Sequence, residues 1–545
     1  MGFPLDDLRA AVEAAAGDLR DDGASAPSVR ATLEQPKQAG FGDYATNAAM
    51  LLAPVLKAPP RQIAERLGER LGERLGDALA KADVAGPGFL NLVLSDRWYV
   101  EATRAVLAAG ADWGRTQAAR PLKFNVEFVS ANPTGPATAA SARHAAYGDA
   151  LARLLELSGH AVTREYYFND AGSQVTRLGE SVRARARHEP VPEDGYKGDY
   201  VVELAQQLPG AADAADAAEL GARAGALIMD GIRAVLADYR VEFDVFFLER
   251  SLHVGDPSKI SLALDHLREH GHLYETEGAL WLRTTSFGDD KDRVLIRQSG
   301  EPTYFAADVA YLDDKLARGF DQLVYVLGAD HHGYIPRMRA ALAALGGEPE
   351  RLEIPILQFV HIVEGGEKAK MSKRAGDFVT LEELIGEIGV DATRWFMISR
   401  SHETTIDLDL DLARKQNNEN PVFYVQYAHA RTASILREVG AAAVAAALAS
   451  DGDGLELHAA ERELVRKLLA FPAEVADAAA RRAPHRIAGY ALELAQRFAA
   501  FYEHCRVKDA EPEPLRAFRI GLVVATRDTL AAALGLLGVS APDAM

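Results

Sequence analysis

From residue 123 onward the sequence alternates short β-rich runs with segments of helical period, and this alternation restricts the fold more than any other feature. The β-rich runs are KFNVEFVS at 123–130, VTREYYF at 162–168, QLVYVLG at 322–328 and EIPILQFVHIV at 353–363. Strands joined by helical crossovers run parallel, because a tight turn can join only antiparallel neighbours. A mainly parallel α/β sheet of Rossmann type is therefore expected, with helices covering its faces. Residues 186–287 interrupt the rhythm and are expected to be an insertion. Beyond about residue 400 the β-rich runs stop, and patterns such as AAAVAAALA and ALELAQRFAAFY predict an all-helical domain. Before residue 114 the pattern is helix, a loop with Gly40 and Gly42, helix again, then apolar strands around GPGFLNLVLS, an α+β module. The expected domains are 1–113, 114–400 and 401–545. A chain of 545 residues supports several cores, since a single core stops growing at roughly 250–300 residues.

Composition removes several classes of function. No uninterrupted apolar stretch of about 18 residues is present, so no membrane association is expected. The start MGFPLDDLRAAVEAAAGD has no basic n-region and does not resemble a secretion signal. Cys505 is the only cysteine, which excludes an intrachain disulfide and a multi-cysteine zinc site and fits a reducing, cytoplasmic location. A net charge of −19 argues against non-specific nucleic-acid binding. Local basic runs exist at Arg462, Arg466 and Lys467, at Arg481, Arg482 and Arg486, and at Arg497, Arg506 and Lys508; they read equally as solvated helix faces or as RNA contacts.

Two segments carry phosphate chemistry. The strand at 123–130 runs into Asn132-Pro133-Thr134-Gly135-Pro136 and then a helix predicted at 137–158, a geometry that turns backbone N–H groups and a positive helix end toward an anion. Far downstream, Lys370-Met371-Ser372-Lys373-Arg374 follows a β-rich run and the glycines Gly365 and Gly366. Two lysines three apart suit a polyphosphate whose charge grows during displacement. Asp330, His331 and His332 close the run VYVLG at an expected carboxyl strand end, where nucleotides bind open α/β sheets. With no further Cys, His or Glu at ligand spacing, ribose and adenylate contacts are preferred there over zinc.

Taken together, the strand-loop-helix unit and the lysine string resemble the signature of class I aminoacyl-tRNA synthetases. The resemblance narrows to the arginyl enzymes through GDYATNAAM at 42–50, AGPGFLNLVLS at 85–95, VEFVSANPTGP at 126–136, YYFNDAGSQ at 166–174, YFAADVAYLDDKLARGFD at 304–321, VLGADHHGYIPRMRAAL at 326–342, KMSKRAGDFVTLEEL at 370–384 and NPVFYVQYAHAR at 420–431. It implies a three-part fold in which the N-terminal α+β domain binds tRNA and the C-terminal helical domain binds the anticodon. It further implies ATP-dependent ligation of L-arginine to tRNA(Arg) through an arginyl-adenylate, with Mg2+ carried by ATP as substrate, no bound prosthetic group, no resident metal and a monomeric chain. Carried onto this sequence, the arginine contacts are Glu127, Ser130, Asn132, Tyr304, Asp308 and His331. The ATP contacts are Pro136, Thr138, Ser141, His144, Asp330, His332, Met371, Ser372 and Lys373, with Lys370 and Lys373 stabilising charge. The tRNA contacts are Tyr44, Asn47, Tyr424, Tyr427, Arg431 and Met545. Carboxylates suit arginine because they grip a guanidinium through paired bonds that an ammonium cannot reproduce.

One departure stands out. The His-x-Gly-His tetrad of class I enzymes falls on Thr138-Ala139-Ala140-Ser141, without either histidine or the glycine. Three explanations follow: the Thr138 and Ser141 hydroxyls substitute, His144 one turn later takes part, or activation is lost and the chain is a non-catalytic tRNA-binding paralogue. A different adenylate-forming or nucleotidyl-transfer enzyme on the same core would account for the lysines but not for the resemblances at both ends.

Overall fold

The alternation beginning at residue 123 folds as a five-stranded parallel sheet in the computed structural model, which describes residues 3–20, 31–36, 40–170, 172–368, 379–452 and 454–545. Strands β1 (Lys123–Glu127), β2 (Ala161–Phe168), β3 (Val245–Leu248), β4 (Gln322–Tyr325) and β5 (Leu352–Glu353) lie in the order β5-β4-β1-β2-β3. The chain leaves β1 toward β2 and β3, then returns to the opposite side for β4 and β5. Strand order therefore reverses between β1 and β4, and the crevice outside their carboxyl ends is where such sheets take ligands.

Helix α1 (Ala139–Leu157) makes the β1-to-β2 crossover and is buried on nearly every face, through Ala142, Ala145, Ala146, Ala150, Leu151 and Leu154. Small residues let it press onto the sheet. At Gly148 an added Cβ would stand 2.2 Å from the Phe128 ring, so only glycine permits this approach just beyond β1. Helices α2 (Ser173–Ala186) and α3 (Ala217–Asp238) form a tight pair beside the sheet, and α4 (Tyr304–Ala317) leads into β4.

Three expectations need correction. Strand β3 lies inside 186–287, so that segment is not wholly an insertion: it supplies the sheet's edge. Strands do not stop at residue 400, because Ile406–Asp409 pairs in parallel with Val360–Glu364, its apolar residues buried and its two aspartates exposed. The run at 353–363 is not one strand but parts of three, broken around Pro355, which lacks a ladder N–H.

The N-terminal module carries an antiparallel sheet of Tyr44–Thr46, Leu79–Ala85 and Phe89–Leu94, covered by helices. Its last helix, Asp96–Ala109, starts at Ser95, whose Oγ accepts from the Trp98 N–H, and ends at Gly110. Beyond the sheet, helix α5 (Leu381–Ile398) leads to the helices Pro421–Val439, Ala459–Leu469, His485–His504 and Glu513–Leu536.

The basic runs of this last region are mostly structural. Arg466 pairs with Asp43 at 2.7 Å and Arg462 with Asp96 at 2.7 Å, joining the last domain to the first. Trp113 Nε1 donates to the Leu468 carbonyl across the same seam. Arg482 grips Glu353 of β5 with two bonds of 2.7 Å, while Lys467, Arg481 and Arg486 pair with acids of their own domain. Arg497, Arg506 and Lys508 remain exposed. A further junction is Arg394 of α5, fully buried, which donates to the Leu537 and Tyr239 carbonyls at 2.8 and 2.9 Å and to the Asp149 carboxylate of α1.

Candidate active site

Strand β1 ends at Glu127, and the next residues turn sharply into the crevice. Val129 and Ser130 take left-handed φ values of 66° and 38°, which side chains rarely adopt and which persist only where the surroundings impose them. The Tyr166 hydroxyl does so, donating to the Ala131 carbonyl at 2.9 Å and accepting its N–H at 3.1 Å. Ser130 Oγ accepts the Tyr167 N–H and donates to Glu127 Oε1, both at 3.1 Å, and Tyr200 anchors the Thr134 carbonyl at 2.6 Å. Asn132 is half-buried within this fixed loop, and Pro136 lies at its end.

Helix α1 then begins with Thr138 as N-cap. The Thr138 N–H donates to Ser141 Oγ at 3.3 Å, so the serine hydroxyl caps the helix and keeps its own hydrogen to offer outward. The turn is tied to a distant segment: the Ala139 N–H donates to the Val379 carbonyl, the Leu381 N–H donates to the Ala137 carbonyl, and Thr138 bridges Thr380. Lys370, Met371, Ser372 and Lys373 lie outside the described residues. The chain on either side of them is placed, however, by the hairpin of Val360–Glu364 with Glu367–Lys368 and by this bridge at Thr380.

His144 faces the crevice at the end of β4. A methyl added to Gly328 would stand 3.9 Å from His144 Nε2 and 2.9 Å from Asp330 Oδ1. Burial, reinforced by the neighbouring Arg143 guanidinium, pulls the His144 imidazole down to about 4. It is therefore neutral at pH 7 and offers hydrogen bonds, not charge. Asp330, His331 and His332 are exposed at the rim, with Asp330 and His331 3.6 Å apart. Among the described residues no group of three His, Cys, Asp or Glu could hold a metal ion.

At the acidic end of the crevice Glu127 already has two partners: Lys315, with 0% exposure, sits 2.7 Å from its Oε2, and Ser130 donates to its Oε1. Sequence could not reveal this pair, whose members are 188 residues apart. Asp308 lies at the same end of the crevice. Burial pushes its carboxyl up to about 6, with Tyr334 pulling down and Glu127 pushing further up. A second such group, missed in the sequence, is the buried Glu249 just beyond β3. Burial pushes it up to about 7, the Tyr167 hydroxyl opposes, and Asp308 and Asp170 add to the rise. Its only signal was a carboxylate closing the apolar run VFFLE at a strand end. Tyr304 is 57% exposed at the rim, its hydroxyl facing Gly172. Two desolvated carboxylates raised in this way gain from any cation that enters between them.

Three family models match the chain: the arginyl tRNA synthetase N terminal domain at residues 6–94, the class I (R) tRNA synthetase catalytic domain at 205–417 and the DALR anticodon binding domain at 425–545. An arginine–tRNA ligase from Frankia alni is 47% identical, covering 99% of each chain. The chain belongs to the arginyl-tRNA synthetase family. A second relative, the arginine–tRNA ligase of Anoxybacillus flavithermus, is 46% identical over 96% of this chain and 95% of its own. The Thermus thermophilus arginyl-tRNA synthetase structure, 24% identical, shares the fold over 99% of this chain and 100% of its own with a TM-score of 0.76.

The candidate RNA contacts of this arginyl-tRNA synthetase family member fall into two groups. On the helix Pro421–Val439, Tyr427 is 45% exposed and stacks on Phe423 at 6.3 Å, and Arg431 is exposed one turn later. Its guanidinium lies 4.8 Å over the ring of Tyr502, an exposed aromatic that sequence reading did not single out. Tyr424 is half-buried against the core, and Met545 is 56% exposed at the mouth of a cavity of about 660 Å³ that Arg240, Arg414 and Phe423 also line. In the N-terminal module Tyr44 is 2% exposed, edge-on to Trp98, and so cannot meet RNA directly; the apolar packing of its ring outweighs its loop context. Asn47 is half-buried and accepts the Thr32 N–H at 3.0 Å.

Proposed function

We propose that the protein is an active arginine–tRNA ligase, joining L-arginine to tRNA(Arg) at the expense of ATP, as a cytoplasmic monomer. The observation that carries this reading is the convergence of two opposite chemistries at the β1/β4 switch point. A capped helix start tied to the segment after the lysine string suits phosphates, and two carboxylates raised by desolvation, half-buried Asp308 and buried Glu249, suit a guanidinium. In this reading residues 1–113 and 401–545 hold tRNA on either side of the catalytic domain at 114–400.

The reaction takes two steps. A carboxylate oxygen of arginine attacks the α-phosphorus of Mg2+-bound ATP and pyrophosphate leaves, giving the arginyl-adenylate. A ribose hydroxyl of the terminal tRNA adenosine then attacks the arginyl carbonyl, and AMP leaves. The first step needs no dedicated acid-base side chain, since positioning and charge stabilisation suffice, and in the second the proton of the ribose hydroxyl passes to the phosphate of the departing AMP. Asp308 and Glu249 orient the guanidinium, with Asn132 and Tyr304 at the loop and rim. Pro136, Thr138, Ser141 and neutral His144 meet the nucleotide, with Asp330, His331 and His332 at the rim. Lys370 and Lys373 carry the charge that histidines of the tetrad supply elsewhere in class I.

Arginine-dependent ATP–pyrophosphate exchange, with and without tRNA, tests the reading. Exchange specific to arginine is expected. No exchange even with tRNA present, alongside intact tRNA binding, identifies a non-catalytic paralogue instead.

A further inference from the structure

The loop joining β1 to α1 is fixed at both ends and suspended between them. The Tyr166 hydroxyl holds Ala131 at its start, and at its end the Leu381 N–H donates to the Ala137 carbonyl at 2.8 Å. The residues between are Asn132, Pro133, Thr134, Gly135 and Pro136, with Asn132 among the proposed arginine contacts and Pro136 among the proposed nucleotide contacts. The two prolines bring no N–H donors, and the Thr134 N–H is used inside the stretch, on the Asn132 carbonyl at 2.7 Å. Among the described residues, one hydrogen bond ties the middle of the loop to the rest of the chain. The Tyr200 hydroxyl donates to the Thr134 carbonyl at 2.6 Å, from 66 residues away.

Packing does not replace that bond. Thr134 is buried, yet a Cβ added to Gly225 of α3 would meet Pro133 only at an ordinary 3.7 Å, and Pro136 and Ala137 border a cavity of about 280 Å³ that Tyr200 and Leu204 also line. The loop therefore has room to shift on both sides, and a buried carbonyl deprived of its donor leaves its place to find another. The donor, by contrast, stands on a rigid base. Tyr200 lies in the first turn of the helix Asp199–Gln207, which buries Val201 and Leu204. Just before that helix the Tyr196 N–H donates at 3.0 Å to Ser181 Oγ of α2, a fully buried residue. Helix α2 is itself pressed against α3, since a Cβ at Gly179 would stand 1.8 Å from the Ala217 carbonyl oxygen.

We propose that Tyr200, from the helical segment between β2 and β3, is a positioning residue for adenylate formation: its hydroxyl fixes the Asn132–Pro136 loop and so the approach of the arginine carboxylate to the ATP α-phosphorus. The inference rests on the arginine-ligase reading above. One short loop meets both substrates in that reading, so its shape sets their alignment. Each substrate keeps contacts elsewhere, the guanidinium at Asp308 and Glu249 and the phosphates at the start of α1. Loss of the pin therefore leaves both bound and spoils their relative placement, where an error of about 1 Å costs up to about 10²-fold in rate. Residues outside the parallel sheet, remote in sequence from either substrate contact, thereby take part in the first chemical step.

The test is Tyr200→Phe, which keeps the ring and its packing and removes only the donor, in arginine-dependent pyrophosphate exchange with tRNA present. Its kcat is expected to fall about tenfold or more, with the arginine KM and the ATP KM each within about threefold, the pattern of an interaction that matters in the transition state. Tyr196→Phe is the matched control, because its hydroxyl makes no hydrogen bond among the described residues, and its kcat should stay within about twofold of wild type. A kcat within about twofold for Tyr200→Phe, an equal loss in Tyr196→Phe, or a rise confined to one KM overturns the proposal. Hydrogen exchange at the amides of residues 134, 135 and 137 supplies a readout that needs no catalysis. It should quicken at least about fivefold in Tyr200→Phe and not in Tyr196→Phe, and unchanged exchange overturns the proposal whatever the activity. Absence of pyrophosphate exchange in the wild type is a different result and sinks the parent reading.

Discussion

Gly538→Ala is expected to loosen the joint between the anticodon-binding domain and the catalytic sheet. Gly538 follows the last helix with a left-handed φ of 65°, and a Cβ there would stand 2.2 Å from the Arg394 guanidinium carbon. Arg394 cannot step aside into water, because it is fully buried between the Leu537 and Tyr239 carbonyls and Asp149. The backbone penalty is about 1–2 kcal/mol. Displacing the buried pair adds about 3 kcal/mol, the low end for a broken buried ion pair, since Arg153 still neutralises Asp149 at 2.9 Å. The total is roughly 4–5 kcal/mol, or a melting-temperature loss of at least about 8 °C at about 2 °C per kcal/mol for a cooperative unit of this size. Gly535→Ala is the matched control: three residues earlier, inside the helix, its Cβ would meet nothing within 4 Å, and the change should be neutral or stabilising by about 0.5–1 kcal/mol. Thermal unfolding of both variants decides the matter. A loss under about 2 °C for Gly538→Ala would show that Arg394 is not held as described.

Other perturbations address the site. Because burial holds Asp308 near 6 and Glu249 near 7, the unliganded fold keeps protons that an unfolded chain releases earlier, so this contribution to stability is present at low pH and lost as pH rises through 6–7. Arginine reverses the balance by favouring the ionised forms: its affinity should rise with pH to a plateau above about 7, with proton release between about pH 5 and 7. Calorimetry in buffers of different ionisation heat would show heats independent of buffer if this is wrong. Lys373→Ala should collapse adenylate formation while tRNA affinity stays within about twofold, and an unchanged exchange rate removes it from the mechanism. Ser141→Ala should lower the exchange rate more than His144→Ala does; the reverse order transfers the role to His144. Tyr427→Ala should weaken tRNA binding by about 1–3 kcal/mol through lost stacking, and equal retention of wild-type and variant in a filter-binding titration would exclude that surface.

What could be read in the sequence was whatever depends on neighbours along the chain. The crossover rhythm after residue 123 and the helix that follows the first strand, expected at 137–158 and found at Ala139–Leu157, are local, and both were legible. Val245–Leu248 and Ile406–Asp409 were not, because a four-residue strand flanked by helical patterns has too few alternations to stand out. The site divided along the same line. Asp308 and His144 were named from the resemblance to the arginyl enzymes, whereas the pairing of Glu127 with Lys315 and the burial of Glu249 depend on residues brought together only by the sheet. The arginines at 462, 466 and 482 illustrate the limit: members of two cationic runs in the sequence became three ion pairs with acids of other domains.

The Arg466–Asp43 pair also sets a clock. Its members are 423 residues apart, so during vectorial synthesis at roughly 5–20 residues per second the first domain waits roughly 20–85 s before its partner emerges. Through that interval the surface of Asp43, Asp96 and Trp113 stands open to solvent. The nascent N-terminal module must therefore hold its shape on its own core and the Asp43–Leu94 hydrogen bond, and stalling or truncation late in the message leaves an acidic seam with nothing to close it.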